Sequence, residues 1–145
     1  LVRAGVDGLA FETFPNAEEA RMVHKIAQQA GLPFWISLTA GPSGDVTSPT
    51  ELAETARQIA PGARWVGVNC IAASLIAPFV DAIAETSVPV AAYPNASRWN
   101  EPPLGPSPFL AAIAPLPLVA VGACCGASLE HLRALRAAFW PLSMR

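Results

Sequence analysis

Short apolar runs typical of buried strands alternate with amphipathic segments typical of helices, five times along a chain of 145 residues. The repeat is roughly 25–30 residues long, which is the length of one strand–helix unit. The first run is apolar enough for a strand buried on both faces, as parallel sheets require. We therefore expect an α/β fold with a parallel sheet, whose strands span residues 6–11, 34–39, 64–69, 89–93 and 116–121.

Helix boundary signals separate these runs. Asn16 is typical of a helix cap, and acidic residues follow it in the first turn, where the helix dipole favours them. Ser48, Pro49 and Glu51 form the pattern of a capping box with proline at the first helical position. Further helices are expected over residues 74–86, 109–114 and 129–139. His24 and His131 lie within predicted helices away from the strand ends, and we expect both to be exposed to solvent.

Thiols and polar side chains collect where the predicted strands end. Cys70 ends one run, while Cys124 and Cys125 are adjacent on a strand-to-helix turn that is flanked by glycines. In a parallel barrel the carboxyl ends of the strands converge on one face, and that face carries the active site. We therefore expect the three cysteines to meet there, beside other side chains at strand ends: Glu12, Thr39, Asn69, Tyr93 and Asn95.

The three cysteines admit two interpretations. A free cysteine is often a small buried apolar residue, and adjacent cysteines lack the spacing common in structural zinc sites. Three thiolates on Zn²⁺ would instead leave a fourth position open, which is typical of catalytic zinc. An odd number of cysteines disfavours a secreted disulfide framework, so we expect free thiols in a reducing cytoplasm.

Two polar residues near these cysteines are candidates for binding a substrate. Glu12 directly follows a predicted buried strand, where an unpaired carboxylate is energetically costly. It is therefore either paired within the protein or available to a ligand. Asn69 precedes Cys70 and could bond to the loop backbone or to a substrate.

Taken together, the motifs resemble the homocysteine S-methyltransferase family, whose fold is a (β/α)₈ barrel of the TIM-barrel type. The most specific strand end is Gly67-Val68-Asn69-Cys70. The most specific turn is Val121-Gly122-Ala123-Cys124-Cys125-Gly126, in which Ala123 takes the place of a second glycine. Supporting segments follow in the order of the family: Gly5-Val6-Asp7, Phe11-Glu12-Thr13, Trp35-Ile36-Ser37-Leu38-Thr39 and Tyr93-Pro94-Asn95.

The resemblance implies a function as well as a fold. Three metal ligands for Zn²⁺ are expected, and these are Cys70, Cys124 and Cys125. Glu12 would bind the amino group of homocysteine, and Asn69 is a second candidate for contact with this substrate. The implied reaction transfers a methyl group from a small donor to the thiol of homocysteine, which gives methionine.

The length of the chain bears on how much of such a barrel is present. A complete barrel needs roughly 250 residues, and this chain begins with Leu1 rather than Met. We therefore expect residues 1–145 to be the carboxyl-terminal part of a homocysteine-binding barrel, about its last five βα units, without the amino-terminal ones. Such a part has two open sheet edges, through which it could self-associate.

Charge and hydropathy exclude some classes of partner. The net charge is −2 and no basic patch is evident, so we expect no nucleic acid partner. Charged residues, Pro and Gly interrupt every apolar run, so we expect no membrane span. Two alternative functions remain. A phosphate-binding barrel could use Gly122, Gly126 and the helix start at Ser128, although Cys70 would then be unexplained. A non-catalytic barrel fragment could bind a metal or depend on a partner.

Overall fold

In the computed structural model, which describes residues 1–40, 48–97 and 101–140, five strands form one sheet in sequence order. All four neighbouring pairs are parallel. This order continues in one direction, as in the wall of a barrel, whereas a doubly wound sheet reverses its order. The expected α/β fold, with the topology of part of a (β/α)₈ barrel, is confirmed. The strands are β1 (Leu9–Phe14), β2 (Phe34–Thr39), β3 (Val66–Ala72), β4 (Val90–Asn95) and β5 (Ala120–Val121).

Helices connect the strands, and two of them begin at the predicted caps. The Asn16 side chain accepts a hydrogen bond from the backbone N–H of Glu19, and Ser48 and Glu51 form both bonds of a capping box. None of the helices in the described part of the chain is long and apolar enough to cross a membrane. The helices are α1 (Ala17–Gln29), α2 (Pro49–Ile59), α3 (Ala77–Ala84), α4 (Pro106–Ile113) and α5 (Leu129–Phe139), with short 3₁₀ turns at Val2–Ala4 and Ala73–Leu75.

Several element boundaries differ from those predicted. β1 includes Glu12, and β3 continues past Cys70 to Ala72, so both residues lie within strands rather than beyond them. β5 has two residues instead of six. Pro117 lies in its predicted first half and Pro115 directly precedes it, and neither residue has an N–H group to donate to the sheet.

The expectation that the two histidines are exposed is wrong. The exposed fraction is 8% for His24 and 4% for His131. His24 Nε2 donates to the carbonyl oxygen of Pro61, and His131 Nε2 donates to that of Leu104, each at 2.8 Å. Burial is tolerated because a backbone carbonyl satisfies each ring N–H. Each ring thus ties a helix to a neighbouring connection, which the position of a histidine within a helix does not reveal.

The two faces of the sheet have different roles. Alternate strand residues pack against the helices in the main core, which includes Leu9, Ile36, Leu38, Val66, Val68, Leu52, Ile59, Val80 and Ile83. The residues between them lie on the other face, here called the inner face. The inner face carries Glu12, Ser37, Asn69 and Tyr93, so the polar candidates are kept out of the main core.

Three strands approach closely at Gly67, and this allows a stability prediction. A Cβ atom at this position would lie 3.0 Å from the Cβ of Ser37 and 3.3 Å from the carbonyl oxygen of Ala91. Gly67→Ala should therefore lower the free energy of unfolding by about 1–3 kcal/mol, the usual range for overpacking. Urea unfolding measures the change. Gly105→Ser is the control, because its Cβ would meet Pro108 Cδ at an ordinary 3.9 Å and serine is favourable at the N-cap position that Gly105 occupies. An equal loss in both variants would contradict the prediction.

Candidate metal centre

The three cysteines, which are far apart in sequence, form one cluster in space. Their Sγ atoms all lie within 4.8 Å of one another. The Sγ atom of Cys125 is 3.9 Å from that of Cys70 and 3.8 Å from that of Cys124. All three thiols are free. Zn–S bonds of about 2.3 Å in a tetrahedral arrangement separate two sulfur atoms by about 3.8 Å. The donor set therefore fits a zinc ion in both chemistry and spacing.

Burial makes this cluster unfavourable for thiolates without a cation. Burial and, secondarily, the neighbouring Cys70 together raise the pKa of Cys124 to about 11, the latter because two thiolates repel each other. A bound divalent cation would remove that repulsion. The electrostatics of the cluster therefore favour the same kind of occupant as its spacing does.

The turn that carries Cys124 and Cys125 is fastened to the end of β4. The backbone N–H of Cys124 donates to the carbonyl oxygen of Pro94, and that of Ala96 donates to the carbonyl oxygen of Cys125. Gly126 has a φ of 76°, a conformation that glycine adopts without strain. A Cβ atom there would lie 2.7 Å from Ser97 Oγ. The glycine thus lets the turn lie flat against the strand end.

Asn95 joins the two sides of the cluster. Its Nδ2 donates to the carbonyl oxygen of Cys70, and its Oδ1 accepts from the backbone N–H of Cys125, each at 3.0 Å. One side chain at the end of β4 therefore holds β3 on one side and the cysteine turn on the other. Its position at a strand end was the only sequence signal. The motif Tyr93-Pro94-Asn95 is equally consistent with a simple turn.

An irregularity in β3 positions Cys70. Asn69 pairs with Tyr93 and Ala72 with Asn95, so β3 has one residue more than β4 over this stretch. Cys70 adopts a left-handed conformation with a φ of 57°. Such a conformation costs a residue other than glycine about 1–3 kcal/mol and is concentrated at functional sites. The bulge places Cys70 on the inner face directly beside Asn69, although consecutive residues of a regular strand point to opposite faces.

A second irregularity lies in β1. Phe11 pairs with Ile36 and Phe14 with Leu38, so Glu12 and Thr13 both stand opposite Ser37. Thr13 has a φ of 68°, which is a rare conformation for a β-branched residue. As at Cys70, the bulge brings two consecutive side chains to the inner face. The sequence carries no signal for either bulge, because neither contains glycine.

A chain of hydrogen bonds connects the two bulges. The Tyr93 hydroxyl donates to Ser37 Oγ, the Ser37 hydroxyl donates to Asn69 Oδ1 at 2.9 Å, and Asn69 Nδ2 donates to Thr13 Oγ1 at 2.8 Å. Asn69 is only 1% exposed. Burial, and secondarily the nearby Glu12 carboxylate, raises the pKa of Tyr93 above its ordinary value. Tyr93 therefore remains a neutral hydrogen-bond donor at physiological pH.

A cavity of about 240 Å³ opens on the inner face, and Glu12 and Tyr93 are among its lining residues. Two tryptophans, Trp35 and Trp65, also line it, and their rings stack with centroids 5.1 Å apart. Gly122, near the cysteine turn, forms part of the wall. The cavity thus combines a carboxylate, a neutral phenol and apolar surface, which suits a small ligand with a positive charge.

The predicted site residues are therefore distributed as follows. The structure brings the three cysteines together and places Glu12 in the adjoining cavity. Asn69 lies between them, but its Oδ1 and Nδ2 are both bonded to other side chains of the protein. Position along the sequence alone did not single out Ser37 or Thr13, which complete the hydrogen-bond chain.

Comparison with known proteins links this chain to one family. A family model described as homocysteine S-methyltransferase matches residues 1–139. Homocysteine S-methyltransferase 4 of Zea mays is 34% identical over 103 residues, which cover 68% of this chain and 30% of the relative. Selenocysteine Se-methyltransferase of Brassica oleracea var. italica is 31% identical over 107 residues, which cover 70% of this chain and 31% of the relative. Homocysteine S-methyltransferase YbgG of Bacillus subtilis (strain 168) is 30% identical over 110 residues, which cover 70% of this chain and 34% of the relative. The chain spans about a third of the length of these curated relatives.

Proposed function

The chain belongs to the homocysteine S-methyltransferase family, and we propose that it binds zinc and homocysteine for the transfer of a methyl group to the homocysteine thiol, giving methionine. The cluster of three thiols carries this proposal. Its Sγ–Sγ distances of 3.8 and 3.9 Å match those expected around one tetrahedral zinc ion. A core of unrelated buried cysteines would not require this spacing.

Each cysteine has a defined part in this proposal. Cys70, Cys124 and Cys125 hold the metal and leave one of its four usual positions for the sulfur of the substrate. Bound zinc lowers the pKa of a coordinated thiol, so it supplies a thiolate nucleophile at neutral pH. Asn95 holds the two ligand-bearing segments at the required separation through its bonds to Cys70 and Cys125.

Glu12 is proposed to bind the ammonium group of homocysteine. Its carboxylate faces the cavity beside the metal centre, and no Lys or Arg is among the described residues that line this cavity. Asn69 is proposed to support substrate binding indirectly, because its hydrogen bonds to Ser37 and Thr13 fix the residue that follows Glu12.

The role of Glu12 gives a binding prediction. Glu12→Gln keeps the shape of the side chain but removes its charge, so homocysteine should bind about 1.5–3 kcal/mol more weakly, the range for a hydrogen bond to a charged group. Calorimetric titration of the zinc-loaded protein measures the affinity. Glu54→Gln, an exposed position on α2, is the matched control and should leave the affinity unchanged. Unchanged homocysteine affinity in the Glu12→Gln protein would show that this carboxylate has a structural role and does not bind the substrate.

The phosphate-binding alternative has weaker support. At the start of α5, the Ser128 hydroxyl donates to the Glu130 carboxylate, and the backbone N–H of Ser128 donates to His131 Nδ1. A phosphate at this position would meet a carboxylate and would find a backbone donor already in use. The start of α5 is therefore a poor site for an anion.

A methyl-transfer assay tests the proposed reaction against a non-catalytic role. The zinc-loaded protein is incubated with homocysteine and, in turn, S-methylmethionine, S-adenosylmethionine, betaine and a methylfolate, and methionine is measured by mass spectrometry. Selenocysteine is a second acceptor to include, since one relative bears the name of a selenocysteine methyltransferase. Homocysteine binding without methionine formation from any donor would leave binding as the function of this chain.

We propose that residues 1–145 form part of a homocysteine-binding barrel domain. Within the described residues, β1 and β5 each pair with a strand on one side only. Both strands thus offer a free edge to which further strands can add, from the same protein or from another copy.

A further inference from the structure

Thr13 has a hydroxyl group that is held in place but not fully used. Its Oγ1 accepts a hydrogen bond from Asn69 Nδ2 at 2.8 Å. A threonine hydroxyl can also donate one hydrogen bond, and no acceptor for it is found in the part of the chain that the structure describes. The residue is exposed on the inner face, next to the carboxylate of Glu12. Thr13 does not itself line the cavity, but it directly follows Glu12, which does, so its O–H donor lies beside that part of the cavity wall.

The hydrogen-bond chain behind Thr13 prepares this donor. Tyr93, Ser37 and Asn69 each donate toward Thr13 in sequence. Ser37 Oγ is fully used, because it also accepts from the backbone N–H of Thr13 at 3.4 Å. Successive donors in one direction polarise one another. The last hydroxyl in such a chain is fixed in position and is a better donor than an isolated one.

We propose that the Thr13 hydroxyl binds the α-carboxylate of the amino-acid substrate and so makes the site selective for a free amino acid over a simple amino-thiol. This inference rests on the proposed function. It adds a group for the one charged part of homocysteine that Glu12 and the three cysteines leave without a partner.

The bulge in β1 is what makes this pairing possible. The ammonium and carboxylate groups of an α-amino acid are attached to one carbon atom, so the groups that bind them must be close neighbours. Glu12 and Thr13 are consecutive, and a regular strand would direct their side chains to opposite faces. Because both residues stand opposite Ser37, both side chains reach the inner face. The strained backbone of Thr13, with a φ of 68°, thus serves binding, because it belongs to the bulge that brings both side chains to one face.

Two ligands and one variant test the proposal. Affinities of the zinc-loaded protein are measured for homocysteine and for 3-aminopropane-1-thiol, which is homocysteine without its carboxylate. Thr13→Val should weaken homocysteine binding about 10- to 100-fold, as expected for loss of a charge-assisted hydrogen bond. Binding of the amino-thiol should change less than about twofold. Valine has the shape of threonine and the same β-branch, so the left-handed backbone is strained equally in both proteins.

Further variants separate this role from a structural one. Thr13→Ser keeps the hydroxyl and should retain the preference for homocysteine. Ser37→Ala interrupts the chain behind Thr13, and it should weaken homocysteine binding while sparing the amino-thiol. It provides the same test if Thr13→Val does not fold. Zinc content, measured by atomic absorption, should be the same in all of these proteins.

The outcomes are distinguishable. Equal weakening of both ligands, loss of zinc, or unchanged homocysteine affinity in the Thr13→Val protein would overturn the assignment of Thr13 and leave the proposed function intact. If the wild-type protein binds zinc but neither ligand, the proposed function fails and the role of Thr13 fails with it.

Discussion

Replacing Cys70 with serine is expected to remove zinc from the protein and to abolish methyl transfer with it. Cys70 is the one member of the cluster on β3, whereas Cys124 and Cys125 follow β5, with β4 lying between. Two adjacent thiolates alone cannot complete a three-sulfur site. The loss of zinc affinity should exceed the roughly 10- to 100-fold that removal of an outer partner of a metal ligand causes.

The comparison of apo proteins shows whether the effect is on the metal or on the fold. Serine and cysteine are close in size and neither is β-branched, so the left-handed backbone at this position is equally strained in both. Without zinc, the Cys70→Ser protein should unfold at nearly the same urea concentration as the wild type. Ala127→Ser places the same residue on the cysteine turn without removing a thiol, and it should keep zinc. Full zinc occupancy in the Cys70→Ser protein would contradict the proposed metal centre, because Cys70 would then not be one of its ligands.

The sequence predicted most of the fold because its signals are local and repeated. Proline, capping residues and apolar runs mark the start of α2, and Asn16 marks that of α1. The convergence of Cys70 with Cys124 and Cys125 was also predictable, since it follows from strand order in a parallel barrel. The short β5 could have been expected from Pro117, which lies within the run that was assigned to it, and from Pro115 directly before that run.

The bulges and the hydrogen-bond chain were not predictable in the same way. Thr13 and Cys70 adopt left-handed conformations that their residue types disfavour. They are held there by contacts with residues distant in sequence, such as the bond from Asn69 to Thr13 across 56 positions. The burial of His24 likewise depends on a carbonyl oxygen 37 positions away. Such features arise from tertiary structure, which patterns within one segment do not contain.

The second large effect is expected at Asn95. Asn95→Ala removes both the donor to the Cys70 carbonyl oxygen and the acceptor for the Cys125 N–H. The two segments that carry the thiols then lose their shared anchor. Zinc affinity should fall about 10- to 100-fold, the usual effect of losing an outer partner of the ligands. Stability of the apo protein should also fall, by about 1 kcal/mol, because the part-buried carbonyl of Cys70 loses its donor while the exposed N–H of Cys125 can bond to water.

Thr86→Val is the matched control for Asn95→Ala. The Thr86 hydroxyl also makes two bonds to backbone atoms, donating to the carbonyl oxygen of Ile83 and accepting from the N–H of Val88. It precedes β4, whereas Asn95 ends that strand, so the two residues lie at opposite ends of the same element. Both variants should lose stability, but only Asn95→Ala should lose zinc affinity, measured by competition with a chromogenic chelator. Similar zinc affinities in the two variants would show that Asn95 supports the fold alone, and that the turn and the Cys70 bulge hold the thiols together without it.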